Sequence, residues 1–476
     1  MRPVLLIDFG STFTKVTAVD LEAERILGRS SAFTTADSDI GRGLNLALDR
    51  LADKTGDLVY ESRLACSSAA GGLRVMVSGL VPELTAEAAR LAALGAGAKI
   101  CRVFSHQLTR CDLTEIEENP PDIFLLTGGT DGGNRQCITS NAERLASLTS
   151  RFPIIFAGNR SALDDCERLL ADFPLTVCPN VMPCFGELRI EPVQKEIRRL
   201  FLERIVSARG LSRTRELLSG ILMPTPSAIL SAVTLLAGGT KEEPGIGDLI
   251  AVDVGGATTD VYSVGQGEPD DAGIIFKGLE EPYAKRTVEG DIGVRYSIQG
   301  IIDEVGPDRL ACEADLETGR LVQLVSHLTA QPFLLPEDQG EELRRLDHTL
   351  AASAVDVATR RHAGVLSRVY TPMGPAWLQK GKNLRQMERI ILTGGSLIYS
   401  TRPLELARQA LYSDRHPESL RPYRAQALLD QDYILSAMGV LAEREPGIAL
   451  RIMKKELTPL GVCHRRQDQE EANGSA

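Results

Sequence analysis

Residues 4–15 read VLLIDFGSTFTK, and residues 249–260 read LIAVDVGGATTD. Each is a run of aliphatic side chains, then an aspartate, then small or hydroxyl-bearing residues, then a β-branched run. Asp8 and Asp253 fall at the same point of the two copies. An unbroken apolar run reads as a strand buried on both faces, and an alternating β-branched run after a tight turn reads as its neighbour. Repetition of the plan predicts a duplicated β-β-β-α unit. In the first copy, strands are expected at 4–9 and 13–19 and in a segment ending near Phe33, with a helix over 40–54. In the second, strands at 249–254 and 258–264 lead through a long turn, 265–273, to a third strand that begins with Ile-Ile-Phe at 274–276.

The residue types suggest what such strands do. An aspartate at the end of a buried strand is held rigidly at the mouth of a sheet. Gly10 lets backbone approach a ligand closely, while Ser11 and Thr12 offer hydroxyls and successive N–H groups to phosphate oxygens. Lys15, on the returning strand, can reach β- and γ-phosphates as a point charge. In the second copy Gly255 and Gly256 serve close approach, and Thr258 and Thr259 serve hydrogen bonding. Two carboxylates facing each other across a polyphosphate, Asp8 and Asp253, would hold a hydrated Mg2+ through its waters. The chain has neither GxxxxGK[ST] nor a GxGxxG fingerprint after a strand, so the nucleotide is expected in a cleft between two domains.

Composition narrows the class. With 476 residues the chain is too long for one ordinary core. It carries 64 acidic against 53 basic residues, a net charge of −11, which disfavours a nucleic-acid or anionic-membrane binder. No apolar run reaches the roughly 20 residues needed to span a bilayer, and no cleavable leader is evident, so a cytoplasmic protein is expected. The 9 cysteines include no CxxC pair and read mainly as buried apolar residues or idle thiols. Cys178 and Cys184, flanking CPNVMPC, are a weak metal signal, and the 6 histidines show no ligand spacing.

Between the copies lies an inserted α/β segment. PELTAEAARLAAL (82–94) has a helical period with Thr85 as a plausible N-cap. DIFLLTGGTDGGN (122–134) and IIFAGN (154–159) read as strands running into turns, and 191–206 as an amphipathic helix. The Gly- and Pro-rich 237–248 is the best boundary. The expected organisation is a first domain at 1–240, a second at 241–431, a connecting helix at 432–463 returning to the first, and a disordered tail at 464–476. Residues 337–368 read as largely helical.

Together these segments resemble the actin, Hsp70 and sugar-kinase ATPase superfamily over most of the chain. DFGSTFTK resembles its phosphate-1 loop, DVGGATTD its phosphate-2 loop, and ILTGGS (391–396) its adenosine loop, which implies that Gly394, Gly395 and Ser396 flank the base and ribose. MPTPSAILSAVTLLAGG (223–239) and YILSAMGVLA (433–442) resemble the two connecting helices, with Ala437 and Gly439 as small residues at their crossing. The resemblance implies an α/β fold of two duplicated RNase H-like domains of the actin/Hsp70 ATPase type, with an interdomain nucleotide cleft. It also implies ATP and Mg2+ as cofactors, with Asp8 and Asp253 catalytic. Where the family's first connecting helix begins with a glutamate near the metal's water shell, this chain has Met223, so a slow, coupled ATPase is expected.

A narrower resemblance spans residues 1 to about 445. LLIDFGSTFTK, CSSAAGGL, LLTGGTDGGN, MPCFGELRIEPV, MPTPSAIL, DVGGATTDVYSV and KRTVEGDIGVRYS look like the GlmL/MutL-type proteins associated with glutamate mutase. That resemblance implies an ATP-dependent reactivating, chaperone-like factor for an adenosylcobalamin-dependent carbon-skeleton mutase such as glutamate (methylaspartate) mutase. The chain has no DxHxxG cobalamin-binding pattern of its own. Alternatives are a small-molecule kinase of the same fold, the activase of a radical dehydratase, and a non-catalytic nucleotide sensor. Two segments stay open. TGGTDGGN (127–134), with Asp131 and Asn134, is a partner surface or a duplication relic of the adenosine loop. KRTVEGDIGVRYS (285–297), with Arg286, Glu289 and Asp291, is a cleft wall or a salt-bridged loop. Oligomeric state and the particular mutase are left open.

Overall fold

The computed structural model describes residues 1–10, 12–34, 40–68, 73–207, 221–331, 340–372 and 374–465. Ser11, most of the 66–72 loop and the tail from 466 lie outside them. The chain divides into two compact units. The first comprises Met1–Ser231, Gly278–Glu280 and Ser436–Ile448, and the second Ala232–Lys277, Glu281–Leu435 and Ala449–Ala476.

The first unit is built on strand β1 (Pro3–Phe9), buried along its whole length. It pairs antiparallel with β2 (Phe13–Asp20), which pairs antiparallel with β3 (Arg25–Phe33). On its other side β1 pairs parallel with β4 (Ser62–Ser67). Leu5, Leu6 and Ile7 are each 0–2% exposed, and burial of such side chains contributes about 1.5–3 kcal/mol apiece. Helix Ile40–Thr55 covers one face, as its periodicity predicts.

After β4 a second sheet is inserted: β5 (Arg74–Gly79), β6 (Lys99–Ser105), β7 (Ile123–Leu126), β8 (Ile154–Phe156) and β9 (Leu175–Val177). All neighbours run parallel, in the order β6-β5-β7-β8-β9. Renumbered from its own first strand this is the 2-1-3-4-5 doubly wound order. Thr85 is the first residue of helix Thr85–Gly95 rather than its cap. Its hydroxyl instead accepts from the N–H groups of Leu80 and Val81 and closes the loop before the helix. The chain then rejoins the first sheet through helix Glu191–Ser207 and β10 (Ile221–Pro224), giving the order β10-β4-β1-β2-β3.

The second unit repeats that order. β11 (Leu249–Val254) pairs antiparallel with β12 (Thr259–Val264) and parallel with β17 (Arg389–Thr393). β14 (Ala284–Glu289) flanks β12, and β18 (Arg424–Leu429) flanks β17. In each unit the strands therefore run 3-2-1-4-5 with the second strand antiparallel, the ribonuclease H-like arrangement. The duplicated α/β fold is as the two aspartate strands predict.

Two expectations and one of the open readings fail here. The third strand of the second copy is β14, not Ile-Ile-Phe. That run forms β13 (Ile274–Lys277) in a separate sheet with β15 (Val365–Thr371) and β16 (Gly374–Lys380). KRTVE is not a loop: Lys285 and Arg286 are buried in the strand because Glu281 and Asp260 neutralise them, at 2.8 and 2.6 Å. The helix Glu341–His362 supplies the largely helical stretch read at 337–368 and stops before β15. At the end of the chain, β19 (Thr458–His464) pairs antiparallel with β18, so 458–464 is the outer strand of the second sheet rather than part of a helix returning to the first unit. Among the described residues, no helix is long and apolar enough to cross a membrane.

Candidate functional site

Asp8 lies one residue before the end of its buried strand, in register with Lys15 on β2 and with Cys66 on β4. It is 3% exposed, and a carboxylate so deep needs donors. Thr225 Oγ1 donates to Oδ1 at 2.6 Å and Ser436 Oγ to Oδ2 at 3.0 Å. Lys15 Nζ lies 3.9 Å from Oδ2. The Cys66 thiol donates to Oδ1 at 3.5 Å, and burial together with the Asp8 charge pushes its pKa well up, so it stays a thiol. Thr225 opens helix Thr225–Gly238, and Ser436 lies in the first turn of helix Leu435–Ala442. Gly439 of the latter packs on the former: a Cβ there would sit 1.8 Å from the Ala228 carbonyl oxygen. The small-residue helix crossing read from the sequence is therefore present.

Asp253 lies one residue before the end of β11, in register with Asp260 and with Thr393. Tyr433 Oη donates to both its oxygens, at 3.3 and 3.1 Å. Gly394 follows β17 with φ 100°, and a Cβ on it would lie 2.4 Å from the Val254 carbonyl oxygen and 2.8 Å from Asp253 Oδ1. The TGGS turn is thus pressed onto the aspartate strand, and Gly395 and Ser396 open the short helix Gly395–Ile398.

The two glycine loops turn in the same way. Gly10 N–H donates to the Phe13 carbonyl at 3.1 Å, and Gly255 N–H to the Thr258 carbonyl at 2.9 Å. A Cβ on either glycine would crowd that same carbonyl, at 2.5 and 2.9 Å. In the first loop the Thr12 carbonyl accepts from Thr34 N–H. In the second, Gly256 accepts from the N–H groups of Arg295 and Tyr296, and Thr259 Oγ1 donates to the Ile292 carbonyl. Thr258 Oγ1 lies 3.4 Å from Asp260 Oδ2. Each loop is therefore braced by a neighbouring segment before any ligand arrives.

Register also settles TGGTDGGN. Cys66 of β4 holds the place that Thr393 of β17 holds in the second unit. The first-unit counterpart of TGGS is therefore the loop beginning at Cys66, and TGGTDGGN, which follows β7 of the inserted sheet, is no relic of it. The buried Asn159 and Asn180 tie TGGTDGGN down through Gly132 N–H and the Gly133, Gly129 and Asp131 oxygens. Of the weak metal pair, Cys178 is buried and Cys184 exposed.

The family model for MutL protein matches residues 4–457. A curated relative, protein MutL of Clostridium tetanomorphum, is 45% identical over 464 residues, 96% of this chain and 99% of that one. The chain belongs to the MutL protein family. The resemblance read from the motifs of this MutL-family chain is thereby upheld. Solved structures similar to it include gluconate kinase from Lactobacillus acidophilus, with 10% identity, 100% and 96% of the two chains covered, and a TM-score of 0.39. Xylulose kinase from Bifidobacterium adolescentis shows 12% identity, 97% and 96% coverage, and a TM-score of 0.32. The activator of the 2-hydroxyisocaproyl-CoA dehydratase from Clostridium difficile with bound ADPNP shows 10% identity, 99% and 98% coverage, and a TM-score of 0.30. TM-scores this low say nothing of this chain's substrate or chemistry.

The sequence reading missed Thr225, Ser436 and Tyr433. The first two lie 217 and 428 residues from the aspartate they serve, and Tyr433 lies 180 from Asp253. A hydroxyl at the start of each connecting helix was the available signal.

Proposed function

We propose that this MutL-family chain is an ATP-dependent reactivating factor for an adenosylcobalamin-dependent carbon-skeleton mutase such as glutamate mutase. The nucleotide part rests on one observation: two equivalent strands carry equivalent aspartates one residue before their ends, each followed by the same glycine turn. The mutase part rests on family membership. In this reading the Gly10–Thr12 and Gly255–Thr259 loops take the phosphates, with Lys15 adding positive charge, and Gly394, Gly395 and Ser396 take the nucleoside.

Asp8 and Asp253 each offer carboxylate oxygens with hydroxyls beside them, which suits a hard cation that keeps its waters, although Asp8 also faces the Cys66 thiol and the Lys15 ammonium. Both Asp8 oxygens already accept hydrogen bonds, so Asp8 would act on Mg2+ through water, and Asp253 likewise. Bound there, Mg2+ would neutralise phosphate charge. With the metal bound, Asp253 would orient or deprotonate the attacking water, and Asp8 would hold the metal's waters. Met223, in register with Cys66, brings a thioether where a carboxylate would assist hydrolysis, which favours slow turnover.

The test mixes purified protein and Mg-ATP with a mutase inactivated by hydroxocobalamin or cyanocobalamin, then adds free adenosylcobalamin. Recovery of mutase activity that requires both the protein and ATP is expected. Absence of recovery overturns the reactivating role.

A further inference from the structure

Tyr433 was not anticipated from any motif, and its surroundings single it out. Its hydroxyl has one proton, which it shares between Asp253 Oδ2 at 3.1 Å and Oδ1 at 3.3 Å. Its backbone has φ 53°, the left-handed region that a bulky side chain adopts only under constraint. The constraint is Asp430, 1% exposed. Tyr433 N–H donates to the Asp430 carbonyl at 3.1 Å, and Asp430 Oδ1 and Oδ2 accept from Ile434 and Leu435 N–H at 2.8 and 3.2 Å. Asp430 Oδ2 also accepts from Thr393 Oγ1 at 3.1 Å, and Thr393 is the residue in register with Asp253 on the neighbouring strand. The contacts close a ring: Asp253, Thr393, Asp430, Tyr433 and back to Asp253. Asp430 thus holds the Tyr433 backbone from which the phenol reaches Asp253.

We propose that Tyr433 is a positioning residue for nucleotide turnover, an inference that rests on the nucleotide reading above. Through its shared hydrogen bond it keeps the Asp253 carboxylate in one rotamer, with the face opposite the phenol turned to the water that attacks the γ-phosphate. The bond spans both oxygens, so rotation of the carboxylate about χ2 is restrained as well as its position. Substrate contact is not part of this role.

Tyr433→Phe keeps the ring and removes the hydroxyl. Wild type and variant are compared by calorimetric titration with Mg-ATP, by steady-state release of phosphate, and by thermal melting. The expected result is a kcat lowered at least about tenfold, the worth of one hydrogen bond to a charged group, with KM and binding affinity within about twofold and the melting temperature nearly unchanged. In the Asp253→Asn background the same change should cost nothing further, because the two side chains act as one unit. Wild-type kcat in Tyr433→Phe, or an additive loss in the double variant, overturns the positioning role while leaving the nucleotide reading intact. Failure of the wild-type protein to bind Mg-ATP overturns both.

Discussion

At the scale of single residues, a buried carboxylate is only as good as its donors. Asp8 takes a hydroxyl from each of two helices, and each bond to a charged acceptor is worth about 1.5–3 kcal/mol. Thr225→Val keeps the shape and removes one donor. It should lower the stability of the first unit by that amount in urea unfolding, and Ser436→Ala should do the same. Asp8→Ala and Asp253→Ala should each abolish phosphate release; turnover by either variant would sink the assignment of that aspartate. These hydroxyl partners were illegible in the sequence because nothing local marks a threonine 217 residues away as a ligand of an aspartate. The aspartates themselves were legible because each sits in a repeated pattern with a mechanical meaning.

At the scale of elements, the glycine turns decide what can be substituted. Gly394 combines φ 100° with a would-be Cβ 2.4 Å from the Val254 carbonyl oxygen. Gly394→Ala therefore has to push β17 from β11, and Mg-ATP affinity measured by calorimetry should fall at least about tenfold. Local periodicity showed the paired central strands and the helix over 40–54, while the helix crossing at Gly439 came from the resemblance to the superfamily's connecting helices. It misplaced β14 because Lys285 and Arg286 look like surface residues until Glu281 and Asp260 are known to neutralise them. It misplaced Ile-Ile-Phe because an apolar run states that it is buried in a sheet, not in which sheet. The parallel order of the inserted strands was beyond reach for the same reason.

At the scale of the whole molecule, pH acts through a polar core in the second unit. Lys382, fully buried, donates to the carbonyls of Pro282 and Tyr283 at 2.8 and 2.7 Å. Nearby, His362 is held between Thr287 Oγ1 and Ser263 Oγ. Burial, helped by the charge of Lys285, pushes the Lys382 amine down from 10.5 to about 7. Between those values the unfolded chain binds a proton that the folded chain does not, so this group adds stability as pH rises and loses it as pH falls toward 7. Compared with Lys382→Met, wild type should gain up to about 1.4 kcal/mol per pH unit across that window in chemical denaturation. A flat difference would show that the amine is charged in the folded state.

The inserted parallel sheet carries a different message about how the chain comes apart. Its strands contribute Val75, Val77, Leu125 and Ile155 to the same apolar cluster as Leu5 and Ile7 of β1. Its other face has a cluster of its own, with Phe124, Phe156 and Ile138. A module that borrows half its interior from its host has no free-standing native state, so host and insert form one cooperative foldon. Native-state hydrogen exchange should find the amides of β7 and β8 opening with the same free energy as those of β1. Excising residues 74–177 should leave the host strands unprotected rather than trimmed.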